Sequence, residues 1–195
     1  MIHPAGEVEH TLKPQLSAIA KSIYGKDTED VIFRVKKVPK HTNRRKLFFQ
    51  GNEGVVDLKV FPHIALSQKI NIDEGQEHVL FERMERITAL APFTLTSSYV
   101  GDYGEDFTIF LAYEDNKNAD NLKDFITAKF EEFFSQEKET RDILHTTLVY
   151  DDANAENFKK AWALINKESI IGKKLPVSSV WLWRGLTPYK EFKFK

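Results

Sequence analysis

The chain contains no cysteine among its 195 residues. That absence excludes a disulfide framework, a thiolate nucleophile and any cysteine-based zinc site. No apolar run approaches the roughly 20 residues that a helix needs to span a bilayer. The N-terminal residues also lack the basic and apolar blocks of a secretory signal. These absences predict a cytosolic protein that has no membrane as a partner.

An excess of positive charge is missing too, because 28 Lys and Arg face 29 Asp and Glu, for a formal net charge of −1. Proteins that follow long nucleic acids need a broad basic surface, since neutralising phosphates supplies much of the affinity. The basic clusters here are short, at 36–37 and 44–46. A long duplex is therefore not an expected partner, whereas a small or terminal phosphate is compatible with this charge.

Aromatic residues are plentiful, with 15 Phe, 6 Tyr and 3 Trp, so a sizeable core can form without covalent cross-links. Periodicity predicts helices over 13–24, 74–90, 118–134 (capped by Asn118 or Asp120) and 154–166. Alternation predicts strands over 31–38, 46–50, 55–66, 93–100, 107–113, 143–150, 177–183 and 189–194. Helices and strands interleave without a linker, which is typical of an α+β or α/β fold. The first dozen residues carry few apolar anchors and are expected to fray.

The sequence contains one internal repeat, because a predicted strand bearing a histidine occurs in each half of the chain. Residues two apart in a strand share a face, about 6.8 Å apart. His145 and Thr147 therefore project together, and so do His63 and Ala65. The two histidines are separated by roughly half a chain, which suits two similar units of strand, polar turn and amphipathic helix.

The pattern of histidine, any residue, Ser or Thr, then an apolar residue, twice at this spacing, resembles the two-histidine phosphoesterase superfamily. That family includes 2′-5′ RNA ligase-like proteins and 2′,3′-cyclic nucleotide phosphodiesterases. His145-Thr146-Thr147-Leu148 matches the pattern fully, whereas the copy that begins at His63 has alanine at the hydroxyl position. The similarity extends over about residues 55–195. It implies a single bilobed α+β domain over 1–195, with two pseudo-symmetric sheet-plus-helix lobes around a cleft that holds both histidines.

The chemistry that the resemblance implies fits these side chains. Imidazoles have an unperturbed pKa near 6.5, so one histidine can act as base and the other as acid at neutral pH. Which of His63 and His145 is the acid stays open, because it depends on how the substrate enters. Thr147 is expected to hold the phosphate, and Ser67, about 13 Å along an extended strand from His63, would help only if a bulge re-aims it. No metal and no other cofactor is required.

Three further residues are candidates for substrate contacts. Tyr150 follows the second motif, and the pair Trp183 and Arg184 lies in a late strand, where they would stack on a base or clamp a phosphate. Core packing is the alternative for this tryptophan. The expected substrate is a nucleotide or an RNA end, and the expected oligomeric state is a monomer.

Three functions remain open at this point. The first is a phosphoric diester hydrolase that cleaves, or reversibly forms, 2′,3′-cyclic or 2′-5′ linkages. The second is a binding protein on the same scaffold that recognises a terminal phosphate without turning it over, which Ala65 favours. The third is an unrelated α+β protein whose two histidines never meet.

Overall fold

The fold is seen in a computed structural model that describes residues 1–2, 5–24, 32–35, 56–59, 63–67, 70–73, 75–103, 108–134, 143–149, 155–184 and 187–195. Its helices are α1 (Gly6–Tyr24), α2 (Glu77–Glu85), α3 (Lys117–Phe130), α4 (Ala155–Leu164) and α5 (Lys167–Ile170). Its strands are β1 (Ile32–Val35), β2 (Val56–Lys59), β3 (Phe93–Tyr103), β4 (Thr108–Tyr113), β5 (His145–Val149), β6 (Lys174–Val177), β7 (Ser179–Arg184) and β8 (Thr187–Lys193). The 3₁₀ turns Arg86–Ala89 and Glu131–Phe133 prolong α2 and α3. The α+β class is confirmed, with antiparallel pairing among the described strands.

The central sheet has the strand order β5-β4-β3-β6 and is prolonged by short backbone pairings beyond β5. Ile64 forms an antiparallel bridge with Thr146 of β5, and on its other side it bridges Ile2. The Ile2–Ile64 pair exchanges two backbone hydrogen bonds of 3.0 and 2.8 Å. Met1 in turn exchanges backbone hydrogen bonds with Trp181 of β7. The first-motif segment therefore lies between β5 and the N-terminal residues, and the pairing continues to β7 and β8.

The apolar side chains of α3 belong to the same buried core as those of this sheet. The helix begins after Asn116, whose side-chain oxygen accepts the backbone N–H groups of residues 118 and 119 at 3.1 and 3.2 Å. Its apolar stripe recurs at helical spacing and is buried: Ala119, Leu122, Ile126 and Phe130. Each large apolar side chain buried in this way contributes about 1.5–3 kcal/mol. The cap observed here lies upstream of Asn118 and Asp120, because helical hydrogen bonding already begins at Lys117.

The N-terminal helix starts earlier than the sequence predicts. We expected it from residue 13 with a frayed segment before it, but α1 begins at Gly6. Val8 and Leu12 are buried at 1% and 2% exposure and extend the apolar stripe by two turns. Ile2 is equally buried, at 1%. These few anchors fall in register with the core, which composition alone does not reveal.

Other differences have local causes. Strand β6 was not predicted, although its last residue, Val177, begins the predicted strand 177–183. Pro176 is tolerated within it because β6 is an edge strand, where a missing N–H costs no ladder hydrogen bond. Within the predicted strand 55–66, the structure describes β2 and the bridged residue Ile64. The predicted strand 46–50 lies outside the described residues. Within the described part of the chain, no helix is long and apolar enough to cross a membrane.

Candidate active site

The two histidine-bearing segments lie side by side in the structure. Ile64 and Thr146 form an antiparallel bridge. Continuing that register by one residue each way puts His63 across from Thr147 and Ala65 across from His145. The two histidines are then diagonal neighbours on one face, a spacing of about 7–8 Å with the β-carbons somewhat closer. The bridge thus joins the two copies of the repeat seen in the sequence.

Burial separates the two faces of this pair of segments. Ile64 and Thr146 are both 0% exposed and point into the core. By alternation His63, His145 and Thr147 point to the other face, where each is half-buried. Ala65 is exposed although the residues on both sides of it are buried. The surface between the two histidines is therefore accessible to solvent at Ala65, as a site for a small anion requires.

An antiparallel bridge has a local two-fold axis at its centre. The axis through Ile64 and Thr146 exchanges the positions of the two histidines and also exchanges Ala65 with Thr147. The four positions on the open face thus carry histidine twice, a hydroxyl once and a methyl once. The two-fold relation therefore holds for the imidazoles but not for the hydroxyl, which only one of the two segments carries on this face.

A buried hydrogen bond anchors β5 beneath this face. The Tyr113 hydroxyl lies 2.9 Å from the Thr146 Oγ1. Burial raises the pKa of Tyr113 well above its usual range, an effect that its hydrogen bond to Thr146 partly offsets. The phenol therefore stays protonated at neutral pH. Of the two adjacent threonines, Thr146 belongs to the core and Thr147 to the open face.

His145 is oriented by a backbone carbonyl and by aromatic rings. Its Nδ1 lies 2.8 Å from the carbonyl oxygen of Ile143. A carbonyl only accepts, so Nδ1 carries the hydrogen, and Nε2 is the nitrogen through which the neutral ring accepts a proton. The rings of Phe110 and Tyr103 meet the imidazole edge-on, with centroids at 5.3 and 6.0 Å.

His63 has a different aromatic neighbour. The ring of Trp183 lies 4.5 Å from its imidazole, at an interplanar angle of 46°. The next residue, Arg184, forms an ion pair with Glu77, and its guanidinium lies 4.5 Å from the centre of the Tyr189 ring. Alternation puts these two candidates on opposite faces of β7. The structure thus brings the tryptophan to a histidine and holds the arginine in an exposed network on the other face.

Comparison with known proteins finds no matching family model and no matching curated protein. A solved structure of Usb1 from Kluyveromyces marxianus is 10% identical, with 100% of this chain and 95% of that chain covered and a TM-score of 0.45. A second Usb1 structure from the same yeast, with uridine monophosphate, is also 10% identical, with 100% and 96% covered and a TM-score of 0.42. A likeness of this size carries no functional argument, so function is derived below from this chain's own residues.

The other predicted site residues lie as follows. Ser67 is half-buried at a bend of the chain, one residue beyond the buried Leu66. Tyr150 lies outside the described residues. Within the described ranges, no three His, Asp or Glu side chains come together closely enough to hold a metal ion. The roles of these residues in substrate binding stay predictions.

Two residues near the site have no counterpart among the predicted site residues, namely Phe110, which borders His145, and Gly101, which contacts Phe110. They face each other across β3 and β4. An aromatic residue opposite a glycine in a predicted hairpin was the available signal. That signal becomes readable only once the register of the hairpin is known.

Proposed function

We propose that this protein is a metal-independent phosphodiesterase that acts on 2′,3′-cyclic or 2′-5′ phosphodiester linkages of RNA ends or small nucleotides. His63 and His145 are its acid–base pair, and Thr147 holds the phosphate. The bridge between Ile64 and Thr146 carries this proposal, because it supports a common cleft for two imidazoles that lie far apart in sequence.

Hydrolysis of a 2′,3′-cyclic phosphate needs two proton transfers. One imidazole takes a proton from water as its oxygen attacks the phosphorus, and the other gives a proton to the ribose oxygen that departs. Each transfer is typically worth about 10²–10⁴-fold in rate. The Thr147 hydroxyl donates to a non-bridging oxygen and holds the phosphorus for in-line attack. The backbone does not assign acid and base, since the local two-fold axis exchanges the two histidine positions.

The experiment is a product assay on a panel of 2′,3′-cyclic nucleotides and 2′-5′ dinucleotides, with 3′-5′ dinucleotides for comparison and a chelator present throughout. We expect turnover with a bell-shaped pH profile between about pH 5 and 8. His63→Ala and His145→Ala should each lower turnover a hundredfold or more. His78→Ala is the matched control, because His78 is an exposed histidine of α2. Near-normal turnover in both cleft variants would end the proposal.

A second function is favoured by Ala65. With a methyl where the pattern has a hydroxyl, the site loses a hydrogen bond to charged oxygen worth about 1.5–3 kcal/mol, or roughly ten- to a hundredfold in rate. The alternative is a protein that binds a nucleotide or a terminal phosphate of RNA without turning it over. Tight binding of a panel member with no product after prolonged incubation would establish that alternative.

The same two-fold relation supports two wider proposals. We infer that residues 1–195 form one bilobed domain, in which each half contributes a histidine to the shared cleft. We further infer that this domain acts as a monomer, since each chain carries both histidines, and that it acts in the cytosol, since a chain without cysteine needs no oxidising compartment. Independent unfolding of the two halves in calorimetry would contradict the single domain.

A further inference from the structure

Gly101 has no room for a side chain. It lies directly opposite Phe110 in the β3–β4 pair. A β-carbon built on Gly101 would lie 2.5 Å from Cζ and 2.9 Å from Cε2 of the Phe110 ring. The backbone of this glycine is not in the left-handed region, so glycine is required here by space rather than by conformation.

The ring that fills this space is part of an aromatic cluster. Phe110 is 4% exposed and stacks on Tyr103, with centroids 4.6 Å apart and planes at 27°. Tyr99 meets the same ring edge-on at 6.1 Å. Tyr99, Gly101 and Tyr103 alternate along β3, so the two tyrosines flank the position where the glycine admits the Phe110 ring.

This cluster borders His145 on the side away from His63. Strand β5 lies between β4 and the first-motif segment, so Phe110 approaches the imidazole from the β4 side. Phe110 pairs directly with Thr147 and lies diagonal to His145. The ring thus limits the imidazole on one flank while the Ile143 carbonyl holds Nδ1.

We propose that Gly101 and Phe110 are positioning residues for His145. The bare glycine lets the ring lie against β3, and the ring confines the imidazole to the orientation in which Nδ1 donates to the Ile143 carbonyl and Nε2 exchanges protons with the substrate. The inference rests on the proposed function for its catalytic meaning, but the orientation of His145 is measurable without any substrate.

The test uses three variants of the full chain. Gly101→Ala pushes the ring toward His145, and Phe110→Leu removes the ring without a clash. The double variant Gly101→Ala/Phe110→Leu gives the added methyl group room. Phe93→Leu is the matched control. Phe93 is a partly buried ring of β3 that stacks on Phe194 at 6.1 Å and pairs with Val177 of β6, on the side of β3 away from β4 and β5.

The first readout is the ¹⁵N spectrum of the labelled histidines, which reports the protonated ring nitrogen in the neutral form. We expect His145 to be protonated at Nδ1 in the wild type, and to become a mixture of tautomers in Gly101→Ala and in Phe110→Leu. The His63 signals should stay unchanged in both single variants, and in Phe93→Leu the signals of both histidines should stay unchanged. An unchanged His145 spectrum in both single variants would overturn the inference, and so would equal changes at the two histidines.

The second readout is steady-state kinetics on the panel substrate. A misplaced imidazole lowers kcat, by roughly ten- to a hundredfold for a displacement near 1 Å, whereas KM changes less than twofold because Thr147 still holds the phosphate. The double variant should have the kcat of Phe110→Leu and no lower, because the methyl group added at residue 101 then has no ring to displace. A rise in KM with constant kcat would overturn the inference. If the wild type forms no product at all, the proposed function fails while the ¹⁵N spectra still decide the orientation of His145.

Discussion

Trp183 and His63 form a ring pair whose centroids are 4.5 Å apart. The second histidine has its own ring neighbour, because Phe110 lies 5.3 Å from His145. The two aromatic side chains come from different strands and meet the imidazoles at different angles. The local two-fold axis therefore relates the backbone positions of the two histidines but not the side chains that surround them. The surroundings of the two imidazoles are distinct, which allows them to take different roles.

The ring pair at His63 leads to the first prediction. Aromatic pairs contribute about 0.5–1.5 kcal/mol beyond their buried area, so Trp183→Leu should lower turnover roughly two- to tenfold by loosening the imidazole. Trp183→Phe keeps a ring and should recover most of the loss. Trp162→Leu in α4 is the control for the removal of a tryptophan. Steady-state kinetics on the three variants checks this, and equal turnover in Trp183→Leu and Trp183→Phe would contradict it.

The asymmetry of the hydroxyls leads to a gain-of-function prediction. Ala65→Ser puts a hydroxyl at the position that the two-fold axis relates to Thr147. One new hydrogen bond to a charged phosphate oxygen should raise turnover about tenfold. Ala65→Gly changes the size of the side chain without adding a hydroxyl and should give no increase. A serine variant no faster than the wild type would show that the phosphate does not reach residue 65.

Adjacent threonines offer a matched pair of substitutions. Thr147→Val removes the hydroxyl from the open face and should lower turnover ten- to a hundredfold with little change in stability. Thr146→Val takes the hydrogen-bond partner from the buried Tyr113 hydroxyl and should lower the free energy of unfolding by about 1–3 kcal/mol. The folded Thr146→Val protein should have a turnover within twofold of that of the wild type. Kinetics and denaturant titrations together check both changes, and the reverse pattern would contradict the assignment of faces.

Burial of Tyr113 predicts a loss of stability at high pH. In the unfolded chain a tyrosine ionises near pH 10, whereas burial raises the pKa of Tyr113 in the folded chain. Above pH 10 the unfolded state therefore releases a proton that the native state retains. The free energy of unfolding should then fall as pH rises, by at most about 1.4 kcal/mol per pH unit.

Tyr113→Phe should remove this component from the high-pH slope, although the orphaned Thr146 hydroxyl lowers stability at every pH. Tyr189→Phe is the control, since Tyr189 is 44% exposed. Denaturant midpoints from pH 8 to 11 check the prediction. Parallel pH curves for the wild type and Tyr113→Phe would contradict it.

Much of the candidate site follows from local patterns. The two-residue period of a strand puts His145 and Thr147 on one face and Thr146 on the other, whatever the strand's neighbours are. The burial of Thr146 at 0% exposure agrees with that alternation. The catalytic roles of these residues stay predictions, because alternation determines which side chains share a face and not what they do there.

Errors in the predicted elements arose where context outweighs local pattern. Pro176 argues against a strand, but β6 lies at the edge of the sheet, where one missing N–H leaves no bond unmade. Gly6 opens α1 with a positive φ of 59°, and the apolar residues that follow it are too widely spaced to stand out by composition. Both elements are stabilised by the surfaces against which they pack.

The sequence by itself determined the mixed α+β class, the recurrence of a histidine in each half and the face that each motif residue takes. These features depend on the chain's own periodicity. Only the tertiary structure decided that Ile64 pairs with Thr146, that the Trp183 ring lies against His63 and that Phe110 borders His145. Such partners are chosen by backbone pairing and core packing between segments far apart in the chain, and no local pattern specifies which distant segment will lie alongside.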